Sequence, residues 1–378
     1  MVFKRKPVDV IFYYPRHFNR GIAGLNPYFI PLISACEINN ISYLVVEEPD
    51  RNTTVPSNSK TTKFHIGLFL ILSLRKILLL ALFPDFEFRE RFIGKIVNIL
   101  SFGVFKAKNY ITLSNSMGGV LKGINPNARI FDYQHGIITS SQIGYFQDKK
   151  VSSWIRSNNK ELLVYGMGFK DIMTNTDKEN YYKDKVHVIG APNSLSSNFI
   201  KGENILVSLQ LLENENVSLE WLNAQVEMLD DLFNNYSTIS QLSNRTVYLR
   251  HHPRSNRSFN LEKLFAFPFV KDFDDSAESY QIGLHVTFFS TSAFEFAALG
   301  IPTLFLYNTI IPEGKSLFYN EFNYPYQEWN SINEWLDDVI IDKESIQISN
   351  NIKKWYELFY QPFNENKFIE LITSNLAD

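Results

Sequence analysis

Three polar clusters in the sequence combine residue types that can bind an anion or move a proton. The first is Gln134-His135-Gly136, with Ser140 shortly after it. An unperturbed imidazole titrates close to neutral pH, so His135 is a candidate general base, and Gly136 permits a tight turn or a close ligand. The alternative is that the His135 imidazole only hydrogen-bonds within the turn.

The second cluster is Arg250-His251-His252-Pro253-Arg254. A guanidinium offers a bidentate fork and an imidazole offers a short donor, so we predict that Arg250, His252 and Pro253 form a phosphate-binding turn. Consecutive side chains of a strand point to opposite faces, so His251 and His252 are poorly placed to share a metal ion. The alternative is a solvated basic turn.

The third cluster is Ser290-Thr291-Ser292, which ends an apolar strand pattern and precedes a short helical pattern. Hydroxyls and the amides of a helix N-terminus can bind an anion, and Glu295 can accept hydrogen bonds from the vicinal hydroxyls of a ribose. The alternative is an ordinary helix cap with Glu295 as its capping-box partner. Together with the second cluster, this run predicts a nucleotide site that needs no metal.

Further polar residues could bind the acceptor or a donor carboxylate. Arg16 and Arg20 follow the first apolar run, and Gln134 and Ser140 flank His135. A solvated loop is an equally good interpretation of the two arginines.

Several well-known site motifs are missing from the sequence. It contains no GxxxxGK[S/T] loop, no GxGxxG after the first apolar run and no GxSxG, which disfavours P-loop enzymes, dinucleotide enzymes and α/β-hydrolases. The single Asp-X-Asp pair, Asp272-Phe273-Asp274, lies in a polar loop rather than at a strand end, so metal-dependent sugar-nucleotide chemistry of that type is unsupported.

Short apolar runs alternate with helical patterns along the chain, which predicts parallel sheets covered on both faces. The strand patterns are VDVIFYY, ISYLVVEEP, NYITLS, ARIFDY, ELLVYG, KVHVIG, NILVSLQ, TVYLR, FPFVKDF, HVTFF and PTLFLYN. A polar stretch at 191–203 reads as a linker. We therefore predict an α/β protein with two Rossmann-like αβα domains, 1–195 and 196–378, facing each other across a cleft, with the last helix able to pack back on the first domain. Ligands are expected outside the carboxyl ends of the strands.

Composition limits the function classes. The chain has 378 residues, 37 Lys and Arg against 40 Asp and Glu, and one cysteine, Cys36. This balance argues against a general nucleic-acid binder, and a single cysteine excludes an internal disulfide framework and a Cys-cluster metal site. With no signal-peptide pattern, a cytoplasmic location is predicted.

One apolar segment, residues 64–83, is long enough to span a bilayer but contains Arg75 and Lys76. Each such charge costs about 2.5–3.5 kcal/mol at a helix centre. The segment therefore predicts either a core helix or an amphipathic helix that lies on the inner face of the cytoplasmic membrane, and a membrane-spanning helix is the less favoured third alternative.

These motifs resemble those of a group of bacterial surface-polysaccharide enzymes. The run EFAALGIPTLF resembles the donor-site element of glycosyltransferases with two Rossmann-like domains, the type B architecture, in which the residue matching Glu295 grips the donor ribose. The pair formed by His252-Pro253 and Ser290 to Ser292 resembles the His-Pro and Ser-Ser/Thr motifs that hold the donor phosphate in bacterial sialyltransferases. Similar motifs occur in capsule Kdo transferases and CDP-glycerol transferases, where a first-domain histidine, matching His135, is taken as the base.

The resemblance implies a metal-independent, inverting glycosyltransferase with no cofactor besides its nucleotide-sugar co-substrate, a CMP-sugar being favoured. The acceptor would be a capsule, lipopolysaccharide or exopolysaccharide glycan. The acidic-acidic-Gly base motif of sialyltransferases is absent, which moves the base role to His135. The alternatives are a CDP-glycerol-type polyol phosphotransferase and a non-catalytic nucleotide- or glycan-binding protein of the same fold.

Overall fold

The computed structural model describes residues 7–19, 26–50, 55–58, 60–113, 117–192, 199–212, 217–237, 245–274, 279–326 and 342–374. The chain divides into two compact units. Unit 1 comprises Met1–Ser194 and Phe359–Asp378, and unit 2 comprises Leu195–Leu358.

The strands of unit 1 are β1 (Val8–Pro15), β2 (Tyr43–Glu48), β3 (Thr62–Lys63), β4 (Ala107–Thr112), β5 (Arg129–Tyr133), β6 (Phe146–Gln147), β7 (Lys150–Val151), β8 (Lys160–Val164) and β9 (Val186–Val188). Its helices before residue 194 are α1 (Ile30–Ile38), α2 (His65–Ile77), α3 (Phe86–Leu100), α4 (Gly118–Ile124), α5 (Ser153–Arg156) and α6 (Met167–Thr176). Seven strands form one sheet in the order β3-β2-β1-β4-β5-β8-β9, and every pairing in it is parallel. β6 and β7 form a separate antiparallel hairpin.

The strands of unit 2 are β10 (Phe199–Ser208), β11 (Val247–Arg250), β12 (Val270–Asp272), β13 (Tyr280–Thr287) and β14 (Thr303–Phe305). Its helices are α7 (Leu219–Ser237), α8 (Glu262–Phe265), α9 (Ala293–Ala298) and α10 (Asp342–Phe359), whose last residue belongs to unit 1. The sheet order is β12-β11-β10-β13-β14, again with parallel pairings only. The predicted α/β class with two parallel sheets is confirmed.

The strands form where β-branched and aromatic residues run without interruption. In β1, the side chains from Val10 to Tyr14 are all buried, because helices cover both faces of a parallel sheet. The run NPYFIPLISACEI predicts a helix with Asn26 as its cap, but the helix begins at Ile30. The Asn26 side chain accepts hydrogen bonds from the amides of Tyr28 and Phe29, so a turn precedes the helix.

The end of the chain belongs to unit 1. After α10, a break at Pro362 leads into α11 (Glu365–Thr373). The α11 carbonyls of Leu371 and Ile372 accept hydrogen bonds from Arg129 and Asn109 of the unit 1 sheet, at 2.6 and 3.0 Å. The last helix therefore packs against the strands β4 and β5.

The apolar segment 64–83 forms α2 and a following turn. One side of α2 reaches the core, where Ile71 is fully buried. Among the helices that the structure describes, none has both the length and the apolar composition that a membrane crossing needs.

Candidate functional site

Arg250 and Glu295 meet at the carboxyl edge of the unit 2 sheet. Arg250 is the last residue of β11, and Glu295 lies in the first turn of α9. The Arg250 Nη1 atom is 3.5 Å from the Glu295 Oε2 atom, and the guanidinium also stacks over the rings of Phe199 and Phe273. The structure thus brings together two residues that the sequence predicts as phosphate and ribose ligands.

A network of hydroxyls lies beside this pair. The Ser292 Oγ atom is 2.8 Å from the Ser290 Oγ, 3.2 Å from the Ser208 Oγ and 3.2 Å from the Nε2 of His285. Ser208 ends β10, and strand register places it next to Arg250 on one side and Thr287 on the other. Ser208 is therefore the link between the arginine and the serine turn.

His285 supports this network from within the sheet. It is completely buried in β13, its Nε2 is 2.9 Å from the Ser208 Oγ and its Nδ1 is 3.0 Å from the Thr303 Oγ1, while its ring stacks on Phe296 at 4.2 Å. Burial, reinforced by the nearby Arg250 charge, lowers the pKa of His285 well below its usual value. The imidazole is therefore a neutral, fixed hydrogen-bonding group.

Our sequence interpretation missed both His285 and Ser208. A signal was present for His285, because it and Thr287 are polar residues on one face of a strand whose opposite face is apolar, with Ile282, Leu284 and Val286. Polar groups at such buried positions need hydrogen-bond partners.

The serine turn differs from an ordinary helix cap. Ser292 precedes α9 but makes no side-chain cap bond, and Glu295 pairs with Arg250. The amides of Ala293, Phe294 and Glu295 donate to the carbonyls of Ser290, Thr291 and Ser292. The turn therefore presents hydroxyls, whereas these three amides are engaged in the main chain, and the capping-box interpretation does not describe it.

His251 and His252 have different partners. His251 lies near Asp272 of β12, with 3.8 Å between its Nε2 and the carboxylate. The half-buried His252 uses its Nδ1 to accept a hydrogen bond from the Arg254 amide at 3.1 Å, at the turn that contains Pro253. A neutral His252 therefore carries its proton on Nε2, the arrangement of a donor.

In unit 1, His135 follows the carboxyl end of β5. Its half-buried ring packs edge-on against Phe18 with 4.9 Å between ring centres, and its carbonyl accepts a hydrogen bond from the Tyr28 hydroxyl. Its Nδ1 atom is buried without a hydrogen-bond partner among the residues that the structure describes.

Neighbouring side chains fix the turn that carries His135. The buried Gln134 amide donates to the Gly136 carbonyl at 2.7 Å and accepts from the Tyr165 amide at 2.8 Å. Asp132 is buried in β5 and accepts a hydrogen bond from the Tyr145 hydroxyl at 2.9 Å. Gln134, predicted as a ligand contact, is thus engaged at both ends of its amide in holding the turn.

Arg16 and Ser140 lie elsewhere in unit 1. Arg16 follows β1, donates to the Val55 carbonyl at 2.8 Å, and lines a cleft of about 760 Å³ together with Asp50 and one side of α2. Ser140 is half-buried in the loop after His135, and Arg20 lies outside the described residues.

Among the described residues, no group of three or more His, Cys, Asp or Glu side chains is placed to hold a metal ion. Metal independence stays a prediction.

No family model matches the chain, and no curated protein sequence matches it. Similar solved structures exist at full length. The wall teichoic acid polymerase TagF is 13% identical and aligns over 100% of this chain and 92% of its own, with a TM-score of 0.51. A UDP complex of MnaA from S. aureus is 11% identical over 97% of this chain and 96% of its own, with a TM-score of 0.52. A putative UDP-N-acetylglucosamine 2-epimerase from Listeria monocytogenes is 13% identical over 99% and 97%, with a TM-score of 0.53.

The chain has the two-Rossmann, type B glycosyltransferase fold. Identities this low establish the fold alone, so the activity must be argued from the sites.

Proposed function

We propose that this protein is a metal-independent, inverting glycosyltransferase that moves a sugar from a nucleotide-sugar, a CMP-sugar being favoured, to a bacterial surface glycan. The observation that carries the proposal is the edge of the unit 2 sheet. There Arg250, Glu295 and the hydroxyls of Ser208, Ser290 and Ser292 lie together.

Each group at this edge has a chemical role in the proposal. Arg250, His252 and the serine hydroxyls bind the donor phosphate and stabilise the charge that develops as the nucleotide leaves. Removing one positioned donor of this kind typically costs about 3–4 kcal/mol of transition-state stabilisation. Thr291 belongs to the same turn, Pro253 fixes the turn after His252, and Glu295 binds the ribose hydroxyls.

His135 is the proposed base. It takes the proton from the acceptor hydroxyl, whose oxygen then forms the new bond to the sugar while the nucleotide phosphate departs. Direct displacement inverts the anomeric centre. Arg16, Ser140 and Arg20 are proposed contacts for an anionic acceptor or a donor carboxylate.

The second candidate is transfer of a polyol phosphate from a CDP-glycerol-type donor. The similarity to TagF favours it, because that protein is named as a wall teichoic acid polymerase. The same phosphate-binding groups, Arg250, His252 and the serine hydroxyls, would serve both reactions. Capsule and lipopolysaccharide products belong to the first candidate, and a polyol-phosphate polymer belongs to the second.

The proposed place of action is the cytoplasm, at the inner face of the membrane where surface glycans are assembled. The proposed partners are a nucleotide-sugar donor and a glycan acceptor, with no nucleic acid and no resident cofactor.

The deciding experiment measures donor binding by calorimetry and turnover with CMP-, UDP- and GDP-sugars and CDP-glycerol, in the presence of a chelator. We expect one donor to bind and turn over, and His252→Ala to abolish its binding. The product separates the candidates. A CMP-sugar and CDP-glycerol both release CMP, but only polyol phosphate transfer places a phosphate in the product.

His251→Ala is the matched control, since that side chain lies near Asp272 and is assigned no ligand. Normal donor binding by the His252→Ala protein would show that the phosphate assignment is wrong. Binding without turnover by any donor would favour the non-catalytic alternative.

A further inference from the structure

The outward side of α2, the turn after it and α3 form an apolar surface on unit 1. We call it the α2–α3 face, residues 65–102. Ile66 and Phe69 have 84% and 72% of their surface exposed, and Leu72, Ile77, Leu79 and Leu82 are exposed beside or after them. Monomeric proteins rarely expose contiguous apolar patches of this kind without a binding role.

α2 is apolar on two opposite sides. Ile71 is fully buried, and Leu70 and Leu74 pack with it against the unit 1 core. Ile66 and Phe69 lie on the other side of the same helix. Core packing explains only the first side, because a helix that is apolar all round normally has both sides covered.

α3 continues this surface and is firmly attached to α2. Phe88 and Phe92 are exposed one helical turn apart and pack against Phe83, with ring centres 6.3 and 5.6 Å away. The buried Glu90 carboxylate accepts hydrogen bonds from the Nε and Nη2 atoms of Arg75. This ion pair joins the two helices, so α2 and α3 form one continuous surface rather than two independent helices.

The charge around the face is mainly positive, with Asp85 as an exposed acid. Residues 60–106 contain eight Lys and Arg against three Asp and Glu, a balance of +5, so the rest of the chain has a balance of −8. Two of the three acids, Glu87 and Glu90, are buried, whereas Lys63, Lys76 and Lys95 are exposed. Apolar side chains interspersed with cations match the head-group region of an anionic membrane.

We propose that the α2–α3 face docks on a bilayer that contains anionic phospholipid, an inference that rests on the proposed cytoplasmic location. The helices lie in the plane of the interface with the apolar side chains inserted. A second copy of the chain is a poorer occupant, because a two-fold interface would place this positive surface against itself.

Docking has a consequence for the cleft beside α2. Phe69, Leu72 and Lys76 line that cleft as well as the α2–α3 face, and Arg16 lines it too. A docked protein therefore holds the mouth of the cleft at the lipid head groups.

The test is co-sedimentation of the full chain, without donor, with vesicles of phosphatidylcholine alone or mixed with phosphatidylglycerol. We expect binding only to the mixed vesicles, weakening as salt rises. Ile66→Ser with Phe69→Ser should lower the partition coefficient by at least about tenfold. Lys76→Ala and Lys95→Ala should each lower it by about fivefold and reduce the salt dependence.

Ile38→Ser and Leu219→Ser are matched controls, because both side chains are 66% exposed and lie on α1 and α7. They should leave vesicle binding unchanged, and thermal unfolding should be the same for all variants. The proposal fails if the wild-type chain ignores anionic vesicles or if the controls lose binding equally. It also fails if light scattering shows a dimer that Ile66→Ser with Phe69→Ser dissociates. Because no donor is present, the result is independent of the His252→Ala experiment.

Discussion

Each unit has a histidine near the carboxyl end of a sheet strand, His135 after β5 and His285 within β13, but the two imidazoles are held differently. His135 packs against an aromatic ring and has a buried Nδ1 with no hydrogen-bond partner among the described residues. His285 is buried in its strand, and both of its ring nitrogens are close to hydroxyls, of Ser208 and Thr303.

The difference separates two kinds of chemistry. A general base must change its protonation state during the reaction, so its two ring nitrogens cannot both be committed to fixed partners. An anion site works best when its donors are fixed before the ligand arrives, and a histidine that stays neutral fixes the serine hydroxyls without titrating. In the proposed mechanism, His135 of unit 1 is the proton acceptor, and the serine hydroxyls that His285 holds in unit 2 bind the donor phosphate.

The largest expected effect is that of His135→Asn on turnover. Removing a general base lowers the rate by about 10²–10⁴-fold, whereas the affinity for the donor should not change. Rate measurements and calorimetry on the same preparation check this.

His17→Asn is the control, because His17 also packs against Phe18 but is exposed and paired with Asp50. If His135→Asn weakens donor binding as much as it slows turnover, the assignment of a separate base to unit 1 is wrong.

His285→Phe is expected to have the next largest effect, on stability. The new ring can stack on Phe296 but leaves Ser208 and Thr303 without the imidazole, which should lower the free energy of unfolding by about 2–4 kcal/mol. Denaturant unfolding at neutral pH measures this.

The same variant tests the protonation state. The folded-state pKa of His285 is lowered well below 6.5, so only the unfolded chain takes up this proton as the pH falls through 6.5. The wild type should lose stability below pH 6.5 by an amount that His285→Phe does not lose. An identical pH dependence in both proteins would contradict a neutral His285.

Glu295→Gln should have the smallest effect and sharpens the distinction between ribose and phosphate contacts. The Arg250–Glu295 pair is partly exposed and contributes about 0–1 kcal/mol, so stability should hardly change. The KM for the donor should rise by about 3–10-fold, because one ribose contact loses its charge.

A donor that lacks the ribose 2′-hydroxyl provides the check on that prediction. It should bind the wild type and Glu295→Gln about equally, while the exposed Glu262→Gln of α8 should behave as the wild type with both donors. If the deoxy donor is as sensitive to the substitution as the natural one, Glu295 does not contact that hydroxyl.

Local patterns sufficed to predict most elements and the polar clusters. The apolar runs VDVIFYY and ISYLVV predicted β1 and β2, because a strand buried on both faces is largely apolar. The run HVTFF predicted only the last three residues of β13, which begins at Tyr280. The Arg-His-His-Pro and Ser-Thr-Ser runs could be recognised as candidate sites because they place polar residues where apolar strand patterns end. The start of α1 was less predictable, since Asn26 caps a turn rather than the helix.

What the sequence by itself determined is the periodicity of its strands and helices and the chemical types available where strands end. Only the tertiary structure decided which of these groups meet. Parallel pairing of β10 with β11 and β13 places Ser208 between Arg250 and Thr287, although they are far apart in the chain. Strand order and register depend on packing summed over the whole sheet, so no local pattern encodes that neighbourhood.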